Sequence, residues 1–99
     1  MLERTVERTA CQRALSDLGV ASMKLAAQGQ RSWPDRLFLI PGGKPLMIEF
    51  KAPGEMPRPD QLQCHNILRM LGYQVEVCDD ADDALNYIRK AMEVSHAKA

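Results

Sequence analysis

The chain lacks the features of a disulfide scaffold, a zinc protein or a membrane protein. Its three cysteines, Cys11, Cys64 and Cys78, are odd in number and widely spaced, without a Cys-x-x-Cys pair or a Cys/His zinc spacing. We expect them to be reduced thiols of an intracellular chain. No apolar run approaches the ~20 residues needed to span a bilayer. The charged start, M-L-E-R, without an apolar run behind it, predicts no signal peptide.

An excess of one charge is also missing, since 13 basic and 13 acidic side chains cancel. The charges are unevenly distributed: residues 1–65 carry nine basic and seven acidic groups, whereas residues 66–99 carry four and six. This asymmetry permits contact with nucleic acid by one face but does not require it. The length of 99 residues fits a single domain. We expect a core over residues 2–92 and a frayed tail over residues 93–99.

The apolar periodicities predict an α/β fold of order α-β-β-β-α-β-α, in which helices flank a four-stranded mixed sheet. The predicted helices are residues 2–18, the segment from an N-cap at Asp60 to Leu71, and a last helix opened by the acidic run Asp79–Asp83. The predicted strands are residues 20–25, 37–40, 46–51 and 73–78. The last strand follows a helical crossover, so it should pair parallel to the strand over 46–51.

The segment Trp33–Lys51 is predicted to be a β-hairpin that reverses at Pro41-Gly42-Gly43-Lys44. Folding about the two glycines places Glu49 and Phe50 roughly opposite Arg36 and Asp35. Because side chains alternate along a strand, Glu49 and Lys51 share one face. Two acids and a lysine near one point suit a divalent-metal phosphodiesterase, because Mg²⁺ is usually bound through one or two carboxylates and substrate phosphate. Alternatively, Glu49 and Lys51 form a solvated pair on an edge strand while Asp35 caps a turn.

The motifs around this hairpin resemble a known nuclease family. Pro34-Asp35 followed by Glu49-Phe50-Lys51 resembles the PD-(D/E)xK superfamily. The Gly-Gly turn, the segment Ala52-Pro53-Gly54, Gln61 and an alternating apolar strand then follow in the order of the virus-type replication-repair nuclease domain, VRR-NUC. The likeness covers roughly residues 3–90 and is closest to stand-alone phage and bacterial members. Ser32-Trp33 stands where that family often has Gly-x before the Pro-Asp.

The resemblance implies a restriction-endonuclease-like αβββαβ(α) core and a set of catalytic residues. Asp35, Glu49 and the backbone carbonyl of Phe50 would ligate Mg²⁺ or Mn²⁺, Lys51 would orient the attacking water, and Gln61 would support the site.

Nucleases of this kind also place an acid on the first helix, where Glu3 and Glu7 both fall within the apolar arc. An isolated carboxylate on a buried face is costly, so an acid there needs a partner. We expect Glu7 to be the site acid, and Glu3 to be a first-turn residue that favours the helix dipole.

Three basic side chains are candidates for DNA contact: Arg31, Arg36 and Lys24. Guanidinium binds phosphate oxygens bidentately, although each arginine could equally be a solvated surface residue, and Lys24 could simply face solvent. Trp33 is expected in the core, and His65 is expected to be a partly exposed helix residue rather than a ligand.

Taken together, the resemblance implies a metal-dependent, structure-specific endonuclease that resolves Holliday junctions as a homodimer. Flap or fork cleavage is the nearest alternative, and a non-catalytic DNA- or partner-binding domain on the same scaffold is another. We expect the place of action to be the cytoplasm of a bacterium or of a phage-infected host, with DNA and not a membrane as the partner.

Overall fold

The computed structural model describes residues 1–25 and 32–97, with side chains in the last range described through Glu93. Its element order confirms the predicted α/β fold. The elements are α1 (Glu3–Leu18), β1 (Ser22–Lys24), β2 (Arg36–Ile40), β3 (Lys44–Phe50), α2 (Pro59–Met70), β4 (Gln74–Cys78) and α3 (Ala81–Ala97). Gly19 ends α1 in the left-handed conformation, with φ of 68°, as the sequence predicts.

The four strands form one mixed sheet in the order β1-β2-β3-β4. β1–β2 and β2–β3 pair antiparallel, and β3–β4 pair parallel, which confirms the predicted crossover. Gly42 and Gly43, with φ of 94° and 79°, make the hairpin turn. The register places Arg36 opposite Ile48, one residue from the predicted pairing with Glu49, so Asp35 rather than Arg36 comes to lie beside Glu49.

Helices α1 and α3 pack on one face of the sheet and bury the main core. Phe38, Ile48 and Phe50 are 0% exposed, and the rings of the two phenylalanines meet edge to face with centroids 6.4 Å apart. On the opposite face α2 covers a smaller cluster of Met47, Leu68 and Val75. Because β3 alternates between these faces, Phe50 enters the main core while Glu49 and Lys51 lie on the α2 side.

Several local predictions are wrong. α2 begins at Pro59 with Arg58, not Asp60, as its N-cap residue. Trp33 is 41% exposed rather than part of the core, and His65 is fully buried rather than partly exposed. α3 continues to Ala97, and the last two residues lie outside the described part. The expected fraying of residues 93–99 stays a prediction.

The acidic run before α3 behaves as the sequence predicts. Asp80 Oδ1 accepts the backbone N–H of Asp83 at 2.8 Å, and Asp79 Oδ2 accepts that of Gly54 at 3.0 Å. These bonds satisfy backbone donors at the helix start and in the loop after β3. In the described ranges, no helix combines the length and apolar character that crossing a bilayer requires.

Candidate active site

The sheet brings Asp35 and Glu49 together. Asp35 directly precedes β2, and its backbone N–H donates to the Ile48 carbonyl at 3.1 Å, which extends the hairpin ladder by one residue. The Asp35 carboxylate oxygen Oδ2 accepts the Phe50 backbone N–H at 2.7 Å. Glu49 is the next-to-last residue of β3. The two carboxylates therefore meet at one end of the sheet, where backbone bonds hold Asp35 in place.

Helix α1 adds a third carboxylate. One oxygen from each of Glu3, Asp35 and Glu49 lies within 4.8 Å of the others. A cleft of about 550 Å³ opens beside two of these residues, Glu3 and Asp35, between the start of α1 and the first two strands. The cleft is lined by Leu2, Glu3, Arg4, Glu7, Lys24 and Asp35. We call Glu3, Asp35 and Glu49 the acidic triad.

The electrostatics of the acidic triad favour a bound cation. Burial raises the pKa of Asp35 to about 6, an effect that the Phe50 N–H opposes and the charge of Glu49 increases. Glu49 is 1% exposed, and its Oε1 has no hydrogen-bond partner among the described residues. A buried carboxylate oxygen without a partner is costly unless a ligand satisfies it. Clustered carboxylate oxygens are the ligands that Mg²⁺, Ca²⁺ and Mn²⁺ prefer, so the residues present fit a divalent cation.

Two buried polar side chains, Gln61 and Lys51, contact the carboxylate of Glu49. Gln61, in the first turn of α2, donates from Nε2 to Glu49 Oε2 at 3.0 Å and accepts the Arg58 backbone N–H at 2.9 Å through Oε1. Lys51 Nζ lies 3.6 Å from the same Glu49 oxygen and is 5% exposed as a residue. Both groups contact Oε2, which leaves the other Glu49 oxygen, Oε1, without a hydrogen bond from the described residues.

His65 is a neighbour of the site that sequence reasoning missed. It lies one turn after Gln61 on α2 and is 0% exposed, with Nε2 3.7 Å from Glu49 Oε1. That distance is too long for a hydrogen bond, and neither ring nitrogen has a partner in the described part of the chain. The signal was present in the sequence, since the i, i+4 spacing from Gln61 places both side chains on one helix face.

Glu7, the predicted site acid on α1, does not belong to the acidic triad and instead pairs with two cations. Glu7 accepts hydrogen bonds from Lys24 Nζ at 2.8 and 3.0 Å and from Arg36 Nε at 2.7 Å. Burial acts to raise the pKa of Glu7, but the bonds from these two cations leave it below its usual value. The acid that joins the acidic triad is Glu3, one turn earlier.

No protein-family model matches the chain, but the chain is similar to known proteins, two of which are informative. The first is "Putative nuclease p44" of Acyrthosiphon pisum secondary endosymbiont phage 1, which is 46% identical over 65 residues, 66% of this chain and 70% of the phage protein. The second is a solved structure described as a VRR-NUC domain, with a TM-score of 0.75 and 30% identity over 88% of this chain and 94% of that one. This chain belongs to the VRR-NUC family. The family and fold implied by the motifs are thereby confirmed, and the chain is a nuclease domain.

Within this VRR-NUC domain, the predicted site residues are mostly brought together. Asp35, Glu49, Lys51 and Gln61 converge at the end of the hairpin, as described above. A nuclease fold of this family implies a divalent cation, and the acidic triad is a set of ligands that fits one.

The predicted DNA-contact residues of this VRR-NUC domain lie beside the acidic triad rather than within it. Lys24 and Arg36 point from paired positions of β1 and β2 to Glu7. Lys24 Nζ is also 3.7 Å from Asp35 Oδ1, and Lys24 lines the cleft. Arg31 lies outside the described residues.

Proposed function

We propose that this VRR-NUC domain is a divalent-metal-dependent endonuclease that cuts branched DNA, and that it resolves four-way junctions as a homodimer. One observation carries the proposal: three carboxylates from different elements converge within 4.8 Å of one another beside a buried lysine. Acids that repel one another and repel phosphate are unfavourable for a domain that only binds DNA. They are useful where a cation joins them to a substrate phosphate.

In this proposal Glu3, Asp35 and Glu49 would hold Mg²⁺ or Mn²⁺, with the Phe50 backbone carbonyl as a further oxygen ligand. When bound, the cation supplies positive charge to the phosphate and lowers the pKa of a water. Three ligands from α1, the residue before β2 and β3 make the site depend on the folded sheet. Only the folded hairpin brings Asp35 and Glu49 side by side.

Lys51 and Gln61 have separate tasks in the proposed reaction. The Lys51 ammonium, buried beside Glu49, is placed to orient the water that attacks the phosphodiester and to offset developing negative charge. Gln61 fixes the Glu49 carboxylate through Oε2, so that Oε1 remains available as a metal ligand. The reaction is hydrolysis. The water oxygen bonds to phosphorus while the bond from phosphorus to the ester oxygen of the leaving strand breaks, and that oxygen takes up a proton, so one strand end carries a phosphate and the other a hydroxyl.

Selection by DNA shape is the natural mode for so small a domain. The structure has no dedicated recognition helix for base edges, since the helices of the described chain pack against the sheet. Shape-based selection is therefore favoured over readout of a base sequence. A two-fold dimer would provide two sites for paired cuts. Met23 and Leu39, which are 54% and 47% exposed on the same face of the sheet, are candidate contacts for it.

The test is cleavage of labelled four-way junction, flap and linear duplex DNA, with and without Mg²⁺ or Mn²⁺, with the mass in solution measured in parallel. We expect metal-dependent, symmetric nicks confined to junctions and a particle of two chains. Asp35→Ala, Glu49→Ala and Lys51→Ala should abolish cleavage while the fold stays intact. Asp17→Ala, on the exposed side of α1, is the matched control and should cut normally.

Each alternative has its own outcome in this assay. Preferential cutting of flaps would assign a flap or fork nuclease. DNA binding without any metal-stimulated cleavage would assign a non-catalytic binding domain. Cleavage of DNA by the Asp35→Ala variant would show that the proposed active site is wrong. The corresponding place of action is the cytoplasm of a bacterium or of a phage-infected host.

A further inference from the structure

A second cavity, of about 370 Å³, lies alongside the cleft of the acidic triad on the same side of α1. Its lining is rich in cations, and we call it the basic pocket. The basic pocket is lined by Arg4, Glu7, Arg8, Cys11, Gln12, Lys24 and Arg36. Four basic side chains thus surround one carboxylate, which leaves a local excess of positive charge in a chain whose total charge is zero.

Glu7 sets two of these cations in place. Its carboxylate accepts from Lys24 and from Arg36, whose side chains project from paired positions of neighbouring strands. The carboxylate is largely buried, and its pKa is held below the usual value by the two cations. The ion pairs hold both cationic groups at the wall of the basic pocket before any ligand arrives, which lowers the entropy cost of binding an anion there.

The other two cations are supplied by α1. Arg4 and Arg8 are exposed, and their i, i+4 spacing places them one above the other on one face of the helix. Neither guanidinium group makes an ion pair or hydrogen bond with a described residue. Two like charges stacked on a helix are unfavourable in isolation, and an anion between them removes that cost. The guanidinium group binds phosphate oxygens in bidentate fashion.

The basic pocket is continuous with the active-site cleft. Arg4, Glu7 and Lys24 line both cavities. Lys24 Nζ lies 2.8 Å from Glu7 Oε2 in the basic pocket and 3.7 Å from Asp35 Oδ1 in the active-site cleft, so the Lys24 side chain borders both cavities. Phosphates follow one another at about 3.4 Å of axial rise per strand. A strand whose phosphate is at the acidic triad would therefore place a nearby backbone phosphate in the basic pocket.

We propose that the basic pocket binds a backbone phosphodiester of the cut strand, next to the scissile one. The inference rests on the proposed function, because it assumes that DNA is the substrate. It adds Arg4 and Arg8 to the DNA contacts, and it gives Glu7 the task of positioning Lys24 and Arg36 for the strand. Because the contact is to phosphate, the pocket contributes affinity and strand register but no base preference.

The first test is the salt dependence of binding to a labelled four-way junction, measured by fluorescence anisotropy without divalent metal. Arg8→Gln is the main variant, since Arg8 lines the basic pocket and not the active-site cleft. We expect weaker binding and a slope of log affinity against log salt that is smaller by about one. The affinity difference from wild type should therefore shrink about three- to fourfold between roughly 50 and 200 mM salt.

The matched control is Arg89→Gln, an exposed arginine on α3 that lines neither cavity. It should leave affinity and slope unchanged. Calorimetric titration with Mn²⁺ should give the same affinity for Arg8→Gln as for wild type, because the substitution removes no carboxylate of the acidic triad. A loss of Mn²⁺ binding would instead mean that Arg8 supports the active site and would overturn the assignment.

The second test is a scan in which single phosphates of the cut strand are replaced by neutral methylphosphonates. Wild type should lose affinity at a position close to the cut on the same strand. Arg8→Gln should show a smaller loss than wild type at that same position, because one of the four cations of the basic pocket is already absent. If wild type cuts junctions but Arg8→Gln matches it in slope and in the scan, the basic pocket is wrong while the proposed function stands. If wild type neither binds nor cuts branched DNA, the proposed function itself fails.

Discussion

Asp35→Asn should stabilise the metal-free protein at neutral and alkaline pH while abolishing cleavage. Burial, and then the neighbouring charge of Glu49, raise the pKa of Asp35 from 3.8 to about 6, although the Phe50 N–H opposes the shift. One pKa unit corresponds to about 1.36 kcal/mol. The ionised carboxylate therefore costs up to about 3 kcal/mol of folding free energy at pH 8. An amide can still accept the Phe50 N–H, so the substitution removes the charge and keeps the bond.

The pH dependence has a definite sign. Because the folded-state pKa of Asp35 lies above the unfolded value, the folded protein holds more protons between about pH 4 and pH 6, and stability falls as the pH rises through this window. The stability that this group contributes is fully present below pH 3.8 and is lost above about pH 6. The Asp35→Asn variant has no carboxylate to titrate at this position. Its free energy of unfolding should therefore exceed that of wild type by almost nothing at pH 4 and by the most at pH 8.

Urea denaturation from pH 4 to pH 8, with chelator present, measures this difference directly. Asp17→Asn, an exposed carboxylate on α1, controls for the loss of one negative charge. Adding Mn²⁺ at pH 8 should stabilise wild type, since a cation bound only by the folded state shifts the equilibrium, and should stabilise Asp35→Asn far less. Parallel pH curves for wild type and Asp35→Asn would refute the claim that Asp35 is held at an energetic cost.

Three further predictions concern the other side chains around the site. Gln61→Leu should lower the free energy of unfolding by about 1–3 kcal/mol in urea, because it removes the hydrogen bond to buried Glu49. His65→Leu should have a free energy of unfolding within about 1.5 kcal/mol of wild type, because the His65 ring nitrogens make no hydrogen bond to a described residue. A larger loss of stability would mean that the imidazole does make a stabilising hydrogen bond. In Mn²⁺ calorimetry Glu3→Gln should weaken binding by at least about tenfold, and by more than Glu7→Gln does. The reverse order would make Glu7 the site acid.

The hairpin and its charged residues could be predicted because their signals are local. Alternation along a strand fixes which of Glu49, Phe50 and Lys51 share a face, and the Gly42-Gly43 turn fixes where the strand reverses. The exact register needed one more fact, the conformation of the turn, which moved the pairing of Arg36 by one residue. That shift matters chemically, because it places Asp35 instead of Arg36 beside Glu49.

Burial of His65 could not be read from its own position in α2. A histidine on a helix is polar enough to face solvent, and whether it does so depends on what the helix packs against. Here α2 lies over the strand that carries Glu49, so the face that brings Gln61 to the carboxylate also buries His65. Pairing the two residues at i, i+4 spacing would have located it once Gln61 was assigned to the site.

The roles of Glu3 and Glu7 show why helical periodicity alone could not decide between them. Both acids lie on the same side of α1, one turn apart, and both need a partner when buried. Their partners come from other elements: carboxylates of the hairpin for Glu3, and the cations Lys24 and Arg36 for Glu7. The first environment adds negative charge and fits a metal ion, whereas in the second the charge of Glu7 is already neutralised by the two cations. The same residue type therefore takes two roles because α1 crosses a boundary between an acidic and a basic region. A strand of DNA that spans this boundary would meet the cation site with one phosphate and the basic pocket with another.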